Sequence, residues 1–246
     1  MKKIFISGVT GKVGKLLSSI VINEDTLSLV GGSCSIANKH LNEDIGELLD
    51  KKKLGISISE TISDDLNVDV IVDFSSPKNA IDILDIANER EIPILIGTTG
   101  FAEDQLTKIN IHSKNIPILL APNTSPGIAI LKSLINNSGQ FFSADNHFHI
   151  QETHHKEKKD SPSGTALDLK NEILNIFPSA KISIDSLREG INPGEHTLSI
   201  SLDNEIIELT HKAENRSIFA KGALKGAVWL LGKTPGLYSM KDIYSS

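Results

Sequence analysis

A predicted strand, a glycine-rich turn and a predicted helix follow one another at the start of the chain. Lys2–Ser7 is a short apolar segment typical of a buried strand. Glycines stand at positions 8, 11 and 14, and apolar residues then recur with helical spacing up to Ile22. Glycines let the backbone approach a pyrophosphate, and the helix after them offers N–H groups and the positive end of its dipole. This order favours a dinucleotide-binding turn over a tight turn without a ligand.

Strands and helices alternate through the first half of the chain. Strands are predicted at 26–31, 69–75, 92–99 and 116–123, and helices at 77–90 and 102–113. This alternation predicts an α/β fold with a Rossmann-like, doubly wound parallel sheet. The loops at 97–100 and 121–127 follow strands directly, and such sheets bind ligands at the carboxyl ends of their strands. Both loops are therefore predicted to contact a cofactor rather than to be plain polar turns.

The segment after the second predicted strand bears on the choice of nicotinamide cofactor. Rossmann proteins selective for NAD carry an acidic residue near the end of this strand, where it holds the ribose. Residues 31–40 contain no Asp or Glu, while Lys12 and Lys39 could attract a 2′-phosphate. We therefore expect NADPH and/or NADH, with a leaning towards NADPH.

The second half of the chain has a different pattern. Helices are predicted at 126–139, 164–177 and 222–232, a strand at 146–155 and a hairpin at 197–210. Strands without intervening helices indicate a mixed or antiparallel sheet in a smaller α+β domain. We expect a dinucleotide-binding domain from 1–125, with 216–246 packing back onto it, and a substrate-binding domain from 126–215. The two crossings between domains suit a hinge near 122–127.

The densest charge in the chain lies at 151–166, QETHHKEKKDSPSGTA. Lys158 and Lys159 come shortly before Ser163, a natural N-cap, and the N–H groups behind such a cap can hold a carboxylate or phosphate. Histidine can exchange a proton near neutral pH. An anion site, a proton donor and a nicotinamide-binding domain together indicate reduction of a small acidic molecule.

A solvated basic loop and a metal site are the alternatives for this stretch. His154 and His155 are adjacent, so on a strand they would point to opposite faces, which makes them poor ligands for one ion. Cys34 is the single cysteine of the chain. We therefore expect no metal site.

Composition argues against other classes of function. A formal net charge of −6 and an aromatic content of 4% do not favour nucleic-acid binding. No run approaches the roughly 20 apolar residues of a membrane-spanning helix, and the start of the chain is interpreted as a first strand rather than a signal peptide. One cysteine allows no intramolecular disulfide, which fits the cytoplasm. We expect no nucleic-acid partner and no membrane.

Five motifs spread over nearly the whole chain carry a resemblance to a known family. They are GVTGKVG at 8–14, GTTG at 97–100, APNTSPG at 121–127, ETHHKEKKDSPSGTA at 152–166 and HKAENRSIFAKGA at 211–223. The fourth matches every fixed position of the signature E-x-H-H-x-x-K-x-D-x-P-S-G-T-A. In these motifs the chain resembles the 4-hydroxy-tetrahydrodipicolinate (dihydrodipicolinate) reductases of bacterial lysine and diaminopimelate synthesis.

The resemblance implies a role for each matching residue. It makes His154 and Lys158 catalytic groups that handle a proton, and His155 a substrate contact. It makes Ser163, Gly164 and Thr165 the clamp on a substrate carboxylate. The implied cofactor contacts are Gly8, Val9, Thr10, Gly11, Lys12, Val13, Gly97, Thr98, Thr99, Ala121, Pro122, Asn123 and Thr124.

The reaction implied by the resemblance passes a hydride to C4 of a cyclic, conjugated imine dicarboxylate, with loss of water. A homotetramer built through the sheet of the second domain is implied as well. Ser35 and Ile36 stand where many members carry an acidic residue. Residues 124–126 also depart from the usual aromatic-Ser-hydrophobic pattern, so we expect cofactor contact there through the backbone. A non-catalytic redox sensor is a competing hypothesis, but a sensor needs no proton donor.

Overall fold

The computed structural model of the protein describes residues 1–244 and separates into two compact units. Unit 1 comprises Met1–Thr124 and Phe219–Ser246, and unit 2 comprises Ser125–Ile218. Ser245 and Ser246, the end of the expected C-terminal return, lie outside the described residues.

Both units contain strands and helices. The first stretch of unit 1 contains β1 (Lys2–Ser7), α1 (Lys12–Val21), β2 (Leu27–Ser33), α2 (Ile45–Leu48), β3 (Ile58–Ser59), β4 (Val70–Asp73), α3 (Pro77–Glu89), β5 (Ile94–Ile96), α4 (Glu103–His112) and β6 (Pro117–Leu120). Unit 2 contains α5 (Pro126–Ser138), a 3-10 turn (Gly139–Phe141), β7 (His147–His154), α6 (Gly164–Ile176), β8 (Lys181–Arg188), β9 (Glu195–Ser201) and β10 (Ile206–Lys212). The chain ends with α7 (Ser217–Leu230) and β11 (Gly236–Tyr238).

Unit 1 is built on a seven-stranded sheet of order β11-β6-β5-β4-β1-β2-β3. Every pairing in it is parallel, so the predicted Rossmann-like sheet is confirmed. Its central strands are buried on both faces, which explains their unbroken apolar runs. The short elements α2, β3 and β11 were not predicted, because segments of two to four residues carry no usable periodicity.

Unit 2 is built on a separate four-stranded mixed sheet of order β10-β9-β7-β8. β7 and β8 are parallel and joined through α6, while β9 pairs antiparallel with both β7 and β10. The predicted mixed sheet in a smaller domain is confirmed, although β8 is missing from the predicted elements. The apolar residues of β8 are only partly buried, and polar or charged residues separate them.

Apolar side chains of β7 and β9 form the core of unit 2 with one side of α5 and α6. Phe148 and Ile150 of β7 are buried there with Leu198 and Ile200 of β9. Side chains alternate between the two faces of a strand, so residues 152 and 154 lie on the same face as 148 and 150. The strand thus continues from an apolar core into a buried polar cluster.

The starts of α3, α5 and α6 agree with the predicted helix starts, whereas the start of α7 does not. Ser76, Ser125 and Ser163 cap α3, α5 and α6 through their side-chain oxygens, so the predicted cap at Ser163 is confirmed. The last helix was predicted to begin at Gly222 but begins at Ser217, whose N–H donates to Asn215 Oδ1 at 2.9 Å. None of the helices within residues 1–244 combines the length and apolar character needed to span a bilayer.

Candidate active site

The glycine turn after β1 makes the backbone contacts that a dinucleotide site needs. Gly8 has φ +79°, and a Cβ there would lie 2.2 Å from the carbonyl oxygen of Phe74. Gly11 is the N-cap of α1, and none of the described side chains caps this helix. The first N–H groups of a helix have no intrahelical acceptor, so the start of α1 can donate to a phosphate. A pyrophosphate fits this turn.

The side chains of Val9 and Thr10 in the same turn already have contacts within the protein. Val9 is fully buried beneath Gly32, while Thr10 Oγ1 accepts a hydrogen bond of 3.0 Å from Asn38 Nδ2. Lys12 is exposed, and Val13 is half-buried. Contacts from this turn to a cofactor would therefore run mainly through backbone N–H groups.

Replacing Gly8 with alanine is expected to destabilise the protein more than the same change at Gly100. Both residues have positive φ, which costs a non-glycine residue about 1–2 kcal/mol. Within the described chain no atom lies within 4 Å of a Cβ at Gly100, whereas at Gly8 the backbone of Phe74 must move. Urea unfolding of both variants measures the difference. Equal losses would show that the loop around Phe74 yields freely.

The loop after β5 is fixed by a buried carboxylate at the end of β4. Asp73 accepts hydrogen bonds from Thr98 Oγ1 at 2.5 Å and Ser75 Oγ at 2.6 Å, and Thr98 Oγ1 accepts from the Ser75 N–H at 2.9 Å. Burial raises the pKa of Asp73 above its ordinary value, against the opposing effect of these hydroxyls. Gly97 is buried against the Phe74 ring, and Thr99 is exposed. The Thr98 hydroxyl is thus used inside the protein.

The loop after β6 is anchored in a similar way. Thr124 is buried, and its hydroxyl donates to the carbonyl of Phe219 at 2.8 Å. Ala121 is buried, Pro122 is exposed and Asn123 is half-buried. The Thr124 side chain ties this loop to the returning chain.

Two neighbouring cavities lie beside the glycine turn in unit 1. A cavity of about 240 Å³ is lined by Gly8, Thr10, Gly11, Ser35 and the Ser75–Ser76 segment, among others. A second, of about 380 Å³, is bordered by Ser35, Ile36, Glu60, Lys78 and Asp82. Lys78 is exposed and paired with Asp82 at 2.6 Å.

The polar cluster of unit 2 occupies two neighbouring rows on one face of its sheet. In the strand register Glu152 lies between Ser186 of β8 and His196 of β9, and His196 lies opposite His211 of β10. His154 lies opposite Arg188 in the next row of the same face. Four strands that are far apart in sequence therefore contribute to one cluster.

Glu152 is the centre of this cluster and is completely buried. Its Oε1 accepts from Arg188 Nη2 at 2.8 Å and from the Ser163 N–H at 3.1 Å. Its Oε2 accepts from Arg188 Nη1 at 3.0 Å and is hydrogen-bonded to His154 Nδ1. Burial alone would raise the pKa of Glu152, but hydrogen bonds from Arg188, Ser186 and His154 lower it to about 2.

His154 is buried at the end of β7, with its second ring nitrogen beside a glycine. Burial lowers the pKa of His154, the Glu152 carboxylate partly offsets this, and the charges of Lys158 and Arg188 lower it further. A Cβ at Gly194 would come within 3.0 Å of His154 Nε2, so a glycine there leaves space at this atom.

His196 is buried next to His154 and held in its neutral form. The two rings make an edge contact with centroids 5.1 Å apart. Burial, together with the charges of His154 and His211, lowers the pKa of His196 to about 3. Ser163 Oγ accepts from the Ala166 N–H and is hydrogen-bonded to His196 Nε2 at 3.3 Å.

The turn between β7 and α6 presents the remaining predicted residues. Lys158 Nζ pairs with Asp160 at 2.8 Å; burial alone would raise the pKa of Asp160, but this pairing lowers it. His155 is half-buried, and its N–H donates to the Asn192 carbonyl at 2.9 Å. No described atom lies within 4 Å of a Cβ at Gly164, so the start of α6 is open at this residue. Thr165 is half-buried in the first turn of the helix.

The structure brings His154, Lys158 and Ser163 together and adds residues to which the sequence assigned no role. Glu152 was part of the quoted motif, and its place two residues before His154 was an available signal because such residues share a strand face. His211 opens the fifth quoted motif but was given no role, and Arg188 and His196 carried no comparable signal, because β8 was not predicted and strand register is not visible in sequence. Within the part of the chain that the structure describes, no three His, Cys, Asp or Glu side chains are grouped to hold a metal ion.

The fold and the site together place the chain among the oxidoreductases that bind a dinucleotide in a Rossmann-like unit. Comparison with known protein families is more specific. Residues 2–124 match the family described as dihydrodipicolinate reductase, N-terminus, and residues 127–244 match dihydrodipicolinate reductase, C-terminus. The chain belongs to the dihydrodipicolinate reductase family.

Individual relatives agree with this assignment. The chain is 33% identical to the 4-hydroxy-tetrahydrodipicolinate reductase of Hahella chejuensis, with 99% of this chain and 98% of that protein covered. It is 36% identical to the enzyme of the same name from Buchnera aphidicola subsp. Cinara cedri, with 98% and 96% covered. Its fold matches dipicolinate-bound dihydrodipicolinate reductase from Paenisporosarcina sp. TG-14 with a TM-score of 0.82 at 22% identity, covering 99% of each chain.

Proposed function

We propose that this protein reduces 4-hydroxy-tetrahydrodipicolinate to tetrahydrodipicolinate with NAD(P)H, in diaminopimelate and lysine biosynthesis. The observation that carries the proposal is the family match over both halves of the chain. The dipicolinate bound to the structural relative supports a cyclic dicarboxylate as the substrate class. The site in unit 2 has the chemistry that such a molecule needs.

The cofactor is held by loops of unit 1, and when bound it supplies the hydride. The backbone of Gly8–Val13 and the start of α1 bind its pyrophosphate. Residues 97–99 and 121–124 line the carboxyl edge of the same sheet. Because the hydroxyls of Thr98 and Thr124 are committed to Asp73 and Phe219, these loops act through backbone groups and shape.

The substrate carboxylates are held at the start of α6. Gly164 and Thr165 lie in the first turn of this helix, where an anion is stabilised by the helix dipole and where the Gly164 N–H already binds the Asp160 carboxylate within the protein. Ser163 keeps this end in place, since its N–H is bound to Glu152 and its hydroxyl caps the helix. His155 and Lys158 add contacts from the turn before the helix.

His154 and Lys158 handle the proton that follows hydride transfer. Negative charge develops on the substrate ring as the hydride arrives, and a nearby proton donor stabilises it. Glu152 occupies His154 Nδ1, so the proton moves at Nε2, beside Gly194. A bound dicarboxylate raises the pKa of His154, because opposite charge favours the protonated ring.

An NADPH-oxidation assay tests the proposed function directly. The substrate is generated in the cuvette by the aldolase-type synthase that makes it, and the loss of absorbance at the nicotinamide band is followed. We expect oxidation that depends on this protein and on the synthase. Absence of turnover with both cofactors, by folded protein, would contradict the proposal.

The ratio of kcat/KM for NADPH to that for NADH is expected to be at or above one. Neither Ser35 nor Ile36, which border the second cavity of unit 1, repels a 2′-phosphate, and Lys12 and Lys39 are exposed. The same assay with each cofactor measures the ratio. A clear preference for NADH would show that the missing acidic residue does not decide the choice of cofactor.

We also propose that the protein is a homotetramer and is located in the cytoplasm. Edge strands β8 and β10 of the unit 2 sheet expose Leu187, Ile206 and Ile207, and apolar side chains on a sheet favour association. The single cysteine, Cys34, is buried and fits a reducing compartment. Light scattering coupled to size-exclusion chromatography measures the assembly.

A further inference from the structure

One carboxylate, that of Glu152, contacts both halves of the site in unit 2. We propose that Glu152 is a positioning residue for the reduction: it fixes the tautomer of His154 and holds the start of α6 at a set distance from that ring. This inference rests on the proposed function. Glu152 itself is completely buried and touches neither reactant.

Glu152 determines which ring nitrogen of His154 carries the proton. An ionised carboxylate can only accept hydrogen bonds, so the His154 Nδ1 that it contacts must carry a proton. Arg188 keeps Glu152 ionised through two hydrogen bonds, of 2.8 and 3.0 Å. His154 is therefore directed to present Nε2 to the reactant, as a lone pair when neutral and as a donor when charged.

Glu152 also holds the turn that leads into α6, where the substrate carboxylates are proposed to bind. The same carboxylate accepts the Ser163 N–H at 3.1 Å, and Ser163 is the N-cap of α6. Arg188 also reaches this turn, donating to the carbonyl of Asp160 at 2.6 Å. The proton donor and the carboxylate clamp are thus tied to one buried ion pair. Their separation then depends on Glu152 rather than on the turn at 155–162.

The charged and titratable groups around Glu152 set the direction of the expected pH effect. His154 is on its own strand, Arg188 is on β8, His196 is on β9, and Lys158 is on the following turn. Glu152 raises the pKa of His154, whereas Lys158 and Arg188 lower it. Removing the charge of Glu152 must therefore move the titration of His154 to lower pH.

Glu152→Gln tests the proposal, with the exposed Glu157→Gln in the same motif as matched control. We expect kcat of Glu152→Gln to fall roughly 10- to 100-fold, by analogy with the loss of a carboxylate that orients a metal-bound histidine. KM for the substrate should rise, and the alkaline limb of the pH profile of kcat/KM should move to lower pH. Glu157→Gln should match the wild type. A folded Glu152→Gln protein with wild-type kcat and pH profile would overturn the proposal.

A measurement on the wild-type protein keeps the proposal testable if Glu152→Gln fails to fold. Nitrogen-15 NMR of histidine-labelled protein distinguishes the two neutral tautomers, with His154→Gln giving the assignment. We expect the Nδ1–H form of His154 above neutral pH, and finding the Nε2–H form would overturn the proposal. This result is independent of turnover, so it separates failure of Glu152 from failure of the proposed function.

Discussion

Replacing His154 with glutamine is expected to lower kcat by roughly 10²- to 10⁴-fold, the contribution typical of a general acid. Glutamine keeps the size and polarity of the side chain but cannot deliver a proton. The dinucleotide is bound by unit 1, so the dissociation constant for NADPH should change little. Steady-state kinetics and a fluorescence titration with NADPH measure the two quantities separately.

His149→Gln provides the control for this experiment, because His149 lies on the same strand, β7, outside the polar cluster. That variant should retain wild-type kcat. If His154→Gln also retains it, the proton comes from another group, and Lys158 is the other residue that the family motif makes a proton donor. Loss of NADPH binding together with kcat would instead indicate a wider structural effect.

Protein stability is expected to fall steeply between pH 6.5 and pH 3, with His196 as a principal cause. The pKa of this histidine is lowered from 6.5 to about 3 by burial and by the charges of His154 and His211. Between these values the unfolded chain binds a proton that the folded protein does not, so the free energy of unfolding decreases as the pH falls. The loss approaches about 1.4 kcal/mol per pH unit in the middle of this range and amounts to about 4 kcal/mol over the window.

The geometry around His196 explains why its charged form is excluded. Its Nε2 is hydrogen-bonded to the Ser163 hydroxyl, and among the described residues its buried Nδ1 has no hydrogen-bond partner. A protonated ring would have to donate from both nitrogens. The Ser163 hydroxyl could accept from Nε2, but a proton on Nδ1 would have no acceptor, and charge on the neighbouring rings of His154 and His211 opposes a charged His196.

Two carboxyl groups modify the lower part of this curve in opposite senses. The pKa of Glu152 is lowered to about 2, so its contribution is complete above pH 4.5 and is lost as the pH falls towards 2. The pKa of Asp73 is raised, so protonation of Asp73 favours the folded state as the pH falls. The interval from pH 6.5 to 5.5 is therefore the clearest place to measure the histidine effect.

His196→Gln, compared with the exposed His147→Gln on the same sheet, isolates that effect. Reversible urea unfolding at pH 6.5 and 5.5 gives the loss of free energy in each protein. We expect wild type and His147→Gln to lose about 1 kcal/mol more than His196→Gln over this interval, because the unfolded histidine is only half protonated at pH 6.5. An equal loss in all three, or an NMR titration of His196 near its ordinary pKa, would contradict the assignment.

The residues that could be predicted were those whose signal is local. The glycines after β1, the proline that opens α3 and the serine that caps α6 act on their immediate neighbours, so the sequence alone indicates what they do. The unbroken apolar strands of unit 1 likewise predict burial on both faces. The motif from 152 to 166 was recognised because its residues are contiguous.

The hydrogen-bond partners of individual side chains could not be predicted in the same way. Thr98 and Thr124 are positioned as cofactor contacts by the motifs, yet their hydroxyls bind Asp73 and the Phe219 carbonyl. Ser163 was expected to clamp a carboxylate, and its N–H and hydroxyl both have partners within the protein. Each partner lies many residues away, so only the folded chain reveals the pairing.

The sequence by itself determined the two kinds of sheet, the glycine turn after β1 and the stretch that holds His154, because each depends on periodicity or on a contiguous motif. Only the tertiary structure decided how that histidine is held. The pairing of β7 with β8 and β9 sets Glu152 among Ser186, His196 and Arg188, and no local pattern encodes strand register. Hydrogen bonds from Arg188, Ser186 and His154 then make the Glu152 carboxylate strongly acidic in spite of its burial, whereas burial keeps His196 neutral, because charge in a poorly solvated site persists only where hydrogen bonds compensate it.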